Sequence, residues 1–185
     1  MDFTNTIQAL QKFGSNVVKK GKVILKQKKK TTSKNTLYNS FKYNVAGSQT
    51  AATLEFNFGA AEDYWQFVDE GVRGAGGFKG SGRMRGHGSP FKFGSKMPPR
   101  QPLIEWIKNK RLKGRSKKGR FITNESFGFL IQRAIYQRGL ERTRFFSSPY
   151  EMALKNNLDN IIIAFAEDLE EDLVKNNDMK KIDKK

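Results

Sequence analysis

Apolar positions and glycines recur at alternating steps of three and four over residues 4–28: Ile7, Leu10, Gly14, Val17, Gly21 and Ile24. That spacing puts them on one stripe of a helix. Glycine costs a helix about 1 kcal/mol relative to alanine. Two glycines on the buried stripe therefore imply either a second backbone packed closely there or a bend. Lys28–Lys30 and the polar TTSKN end the segment. The period then changes to two. In NTLYNSFKYNVA, Leu37, Phe41, Tyr43 and Val45 share a face; in TLEFNFG, Leu54, Phe56 and Phe58 alternate with Thr53, Glu55 and Asn57. These are two half-buried strands joined through GSQTAA, most simply an antiparallel hairpin.

EDYWQFVDEGV is compact and aromatic. Tyr64, Phe67 and Val68 stand at i, i+3 and i+4, which predicts one or two helical turns closed by Gly71, with Trp65 pointing the other way. PPRQPLIEWIKNKRL predicts a short helix opened by prolines, with Leu103, Ile104 and Ile107 inward. KGRSKKGR is a basic loop. TNESFGFLIQRAIYQRG predicts a helix with Phe127, Leu130, Ile131, Ala134 and Ile135 on one face and Gly139 past its end. Ser148-Pro149-Tyr150-Glu151 has the form of a capping box with proline at N1. It opens a long helix whose expected buried stripe is Leu154, Leu158, Ile161, Ile162, Phe165, Leu169 and Leu173. At about 1.5 Å per residue that helix is roughly 40 Å long, and the tail KNNDMKKIDKK is expected to fray.

These elements predict an α+β fold: a long N-terminal helix, a small antiparallel β-sheet, inserted short helices and a long C-terminal helix. The expected organisation is one domain over residues 1–178, with a glycine-rich basic extension at 72–120 that carries a short helix, and a flexible basic tail at 179–185. A two-stranded hairpin is marginal by itself. Either further strands lie in 60–145, or a neighbouring subunit completes the sheet.

Charge changes this picture most. The 185 residues carry 35 Lys/Arg against 18 Asp/Glu, a net +17. Residues 71–120 hold fifteen basic residues and one acid, and residues 1–34 hold nine lysines and one acid; residues 141–178 reverse the sign with nine acids and four bases. Such an excess implies a polyanionic neighbour or acidic partner surfaces, and the segregation of sign suits head-to-tail contact between copies. The chain has no cysteine, so disulfides and thiolate metal sites are excluded. Neither an N-terminal apolar signal region nor an apolar run of the ~18 residues needed to span a membrane is expected.

The stretch Gly71–Arg100 holds nine glycines, seven basic residues and no acid. It has no GxxxxGK followed by Ser or Thr, and no GxGxxG between a strand and a helix, so it is not a phosphate loop of either kind. His87, the only histidine, has no nameable catalytic or metal-binding partners and reads as a solvated loop residue. Asp69/Glu70 and Glu62/Asp63 are adjacent acids of the kind that could hold a metal for nuclease work; capping and surface ion pairs are the competing reading.

Three blocks together resemble one family. They are LYNSF at 37–41, YWQFVDEG at 64–71, and RFFSSPYEMALKNNLDNIIIAFAEDLEEDL at 144–173. They are similar, in order, to the leucine-x-x-serine-hydrophobic strand start, the aromatic-valine-acid-x-glycine block and the proline-opened closing helix of the tail-completion (head–tail joining) proteins of tailed bacteriophages. Val72 stands where that family usually has threonine. Residues 72–143 are longer than its usual glycine-rich loop and add the WIKNK and FLIQRAI helices. The resemblance implies a structural virion protein of the neck or tail, made in the host bacterial cytoplasm and without enzymatic activity or cofactor. It implies a homo-oligomeric ring of 12- or 6-fold symmetry, contacting portal or adaptor and tail proteins, around the channel through which the genome is ejected. The alternative function is a non-specific nucleic-acid-binding protein that uses the basic region 71–120.

The residues expected to face DNA or an acidic partner are Arg73, Lys79, Arg83, Arg85, Lys108, Lys110, Arg111, Lys113, Arg115, Lys117, Lys118 and Arg120. Trp65, Phe78, Phe91 and Phe93 are the expected subunit-interface anchors. The glycine run is expected to be flexible until a neighbour orders it.

Overall fold

The computed structural model describes residues 2–28, 36–48, 51–76 and 83–182, and the side chains of all of these except 36 and 176–182. The α+β expectation holds: long helices at both ends frame short helices and two small antiparallel ladders. The chain divides into two compact units, Met1–Trp65 with Arg144–Lys185, and Gln66–Thr143. The stretch 72–120, expected to be an extension, lies inside the second of these units, which also takes in residues 66–71 and 121–143.

In the first unit α1 spans Thr4–Gln27 and buries Thr6, Phe13, Gly14, Val17, Val18, Gly21 and Leu25. Ile7, Leu10 and Ile24 lie half-buried at the flank of this face. Both glycines mark close approaches. A Cβ on Gly14 would fall 2.5 Å from the Tyr43 ring, and one on Gly21 would fall 2.6 Å from the Phe145 carbonyl oxygen.

Leu37 and Phe41 are buried as expected, but not from a strand. Thr36–Ser40 form one helical turn, α2, and the Phe41 amide donates to the Leu37 carbonyl at 3.0 Å. A spacing of four fits one face of either element, so the sequence pattern alone does not separate them. The strands β1 (Lys42–Gly47) and β2 (Ala52–Asn57) pair antiparallel, Tyr43 opposite Phe56 and Val45 opposite Leu54. Their alternation of half-buried and exposed residues follows the predicted period of two. A single 3-10 turn at Gly59–Ala61 leads to α3 (Trp65–Glu70).

Aromatic rings knit this unit together. Phe41 stacks on Phe58 at 5.1 Å and meets Phe145 and Phe146 edge-on. Trp65 stacks on Phe58 at 4.2 Å and meets Phe146. Phe13 and Phe56 both reach Tyr150. The expected direction of Trp65 is therefore corrected: it is half-buried on Phe58, while Tyr64 is exposed. Stacking on a buried phenylalanine outweighs the weak i, i+3, i+4 signal of a six-residue helix.

The closing helix α6 (Ser147–Ile182) runs antiparallel to α1 and continues through part of the tail expected to fray. At one end of the pair the Asp168 carboxylate accepts from the Asn5 and Thr6 amides at 3.0 and 2.8 Å and from the Thr6 hydroxyl at 2.6 Å. Towards the other, Lys20 Nζ approaches Met152 Sδ at 3.7 Å. The expected buried stripe of this helix is wrong by one position. Ala153, Ala164 and Asp168 are buried, with Asn157 and Ile161 half-buried beside them. Leu154, Leu158, Ile162, Phe165, Leu169 and Leu173 remain exposed. Small side chains let the α1 backbone come close, and the Asp168 hydrogen bonds fix the rotation of α6 about its axis.

In the second unit β3 (Val72–Arg73) pairs antiparallel with β4 (Gly139–Leu140). This two-residue ladder is separate from the β1–β2 hairpin, so it does not extend that sheet. α4 (Gln101–Asn109) starts with its proline in the first turn and buries Ile104 and Ile107, as predicted. α5 (Asn124–Arg138) starts at Thr123, whose side chain accepts from the Ser126 amide. Gly128 of α5 admits Ile104 of α4, a Cβ there falling 2.9 Å from Ile104. The buried Gln132 side chain donates to the Pro98 carbonyl at 2.6 Å and accepts from Arg100 at 3.3 Å, fixing the start of α4 on α5. Leu130 is exposed rather than inward.

Candidate nucleic-acid interface

The basic candidates fall into two clusters at opposite ends of α5. The first begins at the last turn of α4. Lys108, Lys110, Arg111, Lys113, Arg115, Lys117, Lys118 and Arg120 are all exposed. The loop that carries most of them is closed by its own backbone: the Ser116 amide donates to Arg120 at 2.8 Å, and the Ile122 amide to Gly114 at 3.1 Å. Gly114 is buried against Phe127 and Ile122, and Gly119 turns the tip with φ +77°. Lys117 and Lys118 therefore stand at the end of a braced loop.

Sequence reasoning overlooked Phe121. It is 62% exposed, with the Arg115 guanidinium 4.7 Å and the Lys113 ammonium 5.7 Å from its ring centroid. The ring collects two cations on an open surface, a combination suited to a phosphate backbone with an adjacent base face. The signal was present in the sequence, as the aromatic that directly follows KGRSKKGR.

Arg111 adopts φ +53° just past α4, and the Leu112 amide donates back to Ile107 at 3.0 Å. This is a helix stop that normally takes glycine. An L side chain costs about 1–2 kcal/mol there. Arg111→Gly is expected to raise the stability of the protein by about 1 kcal/mol. Urea unfolding checks it; a stability equal to or below that of the parent would refute the backbone account.

The second cluster sits at the other end of α5, about 22 Å along the helix axis. Here the glycine run is ordered by backbone contacts, which corrects the expectation of a flexible arm for its described residues. Arg73 donates to Phe91 and accepts from Phe93, Ala75 donates to Tyr136, and Arg85 donates to Arg138, at 2.8–3.0 Å. Glycine is required at the crossing. A Cβ on Gly86 or on Gly139 would fall 2.3 Å from the Val72 carbonyl oxygen. The buried Ser89 hydroxyl donates to Gly71 at 2.8 Å. The side chains of Arg73, Arg83 and Arg85 are exposed. Phe91 meets Phe67 at 4.6 Å and Phe93 meets Tyr136 at 6.1 Å, so these expected interface anchors have partners within their own unit. Phe78 and Lys79 lie outside the described residues.

Gln66–Thr143 holds eighteen Lys/Arg against five Asp/Glu, thirteen of the chain's seventeen net positive charges. His87 is exposed, as are Glu62 and Asp63. Glu70 is ion-paired with Arg142, and Asp69 is buried. Among the described residues, no three His, Cys, Asp or Glu side chains come together as a metal site, and no helix is long and apolar enough to cross a membrane. Comparison with family models, with curated proteins and with solved structures finds no match to this chain.

Proposed function

We propose that this protein is a non-enzymatic structural subunit of a tailed-phage virion, forming a ring in the neck around the DNA channel. The observation that carries the reading is the meeting of the three family-like blocks in one core. Phe41 from the first, Trp65 from the second, and Phe145, Phe146 and Tyr150 from the third belong to a single aromatic cluster. Each block, a weak signal separately, contributes rings to this one cluster, while Gln66–Thr143, which takes in the second block from its third residue onward, is inserted ahead of the third. The inserted unit supplies diffuse positive charge from exposed lysines and arginines. That is the chemistry for contacting DNA phosphates without reading sequence. Mass spectrometry of purified virions should find the protein, and negative-stain images of virions should show it in a ring at the neck; its absence from mature particles would sink the proposal.

A second reading is favoured by the charge of the inserted unit itself: a non-specific nucleic-acid-binding protein working outside a virion. Both readings expect binding to duplex DNA whose logarithm falls linearly with the logarithm of salt concentration. Replacing Lys117 and Lys118 by alanine should reduce that slope by about 1.8, roughly 0.9 for each phosphate no longer neutralised, equally on unrelated sequences. Fluorescence anisotropy over a salt series measures it. No binding at low salt would remove DNA contact from both readings.

A further inference from the structure

The exposed apolar stripe of α6, whose Phe165 stacks on Phe3 of the same chain at 6.1 Å, has a palindromic spacing. Leu154, Leu158, Ile162, Phe165, Leu169 and Leu173, each 37–62% exposed, follow one another at steps of four, four, three, four and four. On an α-helix all six fall within about 100° of arc. We propose that this face pairs with the same face of a second copy, the two α6 helices running antiparallel about a two-fold axis level with Ile163 and Ala164. Leu154 then lies level with Leu173 of the other copy, Leu158 with Leu169, and Ile162 with Phe165. Every large apolar side chain of the stripe meets another.

The size of the face fits a stable pair. Its six side chains together expose on the order of 600 Å² of apolar surface. The largest apolar patch on a monomer is typically ~300–600 Å², and a standard interface buries about 800 Å² per partner. The palindrome is what lets the stripe meet itself in the antiparallel direction.

A two-fold contact closes on itself, whereas a ring needs a heterologous one. The pairing is therefore independent of the virion reading, and either can fail without the other. Size-exclusion chromatography with light scattering of the full chain should give about 42 kDa, twice the 21.1 kDa monomer. Ile162→Lys should raise the dissociation constant at least 100-fold, because it buries a charge in the apolar seam. Its far-UV circular dichroism should be unchanged, since Ile162 is 56% exposed in the monomer.

The chain contains no cysteine, so engineered thiols report orientation. Leu158→Cys with Leu169→Cys in one chain should form an intermolecular disulfide. Leu158→Cys alone should not, because its counterpart lies eleven residues, roughly 16 Å, along the axis. A monomer at tens of micromolar would overturn the proposal. So would cross-linking by Leu158→Cys alone, or an oligomer in which the double variant fails to cross-link.

Discussion

Gly21→Ala is expected to destabilise the protein by about 2–4 kcal/mol, although alanine is the better helix former by about 1 kcal/mol. The added methyl would stand 2.6 Å from both the Phe145 carbonyl oxygen and the Phe41 ring. Neither can yield cheaply. Phe41 and Phe145 are fully buried and belong to the aromatic cluster, and the Phe145 oxygen is backbone at the approach to α6. The helices must separate, or α6 must shift its start. Gly14→Ala is the control: its methyl would meet the Tyr43 ring and Leu54, which are side chains on half-buried strand positions. Its cost should be smaller, about 1–2 kcal/mol. Denaturant midpoints for the two variants measure the difference, and a Gly21→Ala protein as stable as the parent would show that the close approach is absent.

Asp168→Ala should cost about 3 kcal/mol. The N-terminus of α1 has no side-chain cap of its own. The Asp168 carboxylate supplies one from 162 residues away, accepting the Thr6 and Asn5 amides and the Thr6 hydroxyl. It is only 2% exposed, so truncation leaves these donors facing the core without an acceptor, and removes a negative charge from the positive end of a helix. Burial pushes the Asp168 carboxyl up, but the Thr6 hydroxyl and the Thr6 and Asn5 amides together more than reverse this, and the group sits below the ordinary aspartate value of 3.8. The sign for stability follows. The contribution is fully present above the unfolded value, and it is lost as pH falls through the lower folded value. Unfolding curves from pH 6 downward should show the parent losing part of its advantage over Asp168→Ala only below about pH 4. A constant difference across that range would mean that the carboxylate charge contributes nothing.

The exposed basic clusters were legible in the sequence because exposed charge needs no tertiary information to be recognised. Lys108 to Arg120 are as exposed as their density implies. The roles of the aromatics were not legible. Trp65, Phe91 and Phe93 looked available for a neighbour, yet Phe58, Phe67 and Tyr136 take them. These partners lie up to 43 positions away in the chain, and no local pattern brings them together. The glycine run shows the same limit. Its composition reads as mobility, but Gly86 and Gly139 are there because their backbones cross Val72 at a distance that no side chain permits.

Sequence periodicity alone determined the two long helices, the hairpin with its alternation, the proline-opened α4 and the concentration of positive charge between them. It also located close packing at Gly14 and Gly21, since a helix tolerates glycine on its buried stripe only for a reason. Only the tertiary structure decided which face of α6 turns inward. Hydrophobicity marks the stripe of Leu158, Ile162, Phe165 and Leu169. The fold instead packs Ala153, Ala164 and Asp168 against α1, because small side chains allow the backbones to approach and three hydrogen bonds to one buried carboxylate fix the rotation. Burial of apolar area is non-directional, while close approach and hydrogen bonding are not. The directional terms chose the inner face and left the more apolar one outside.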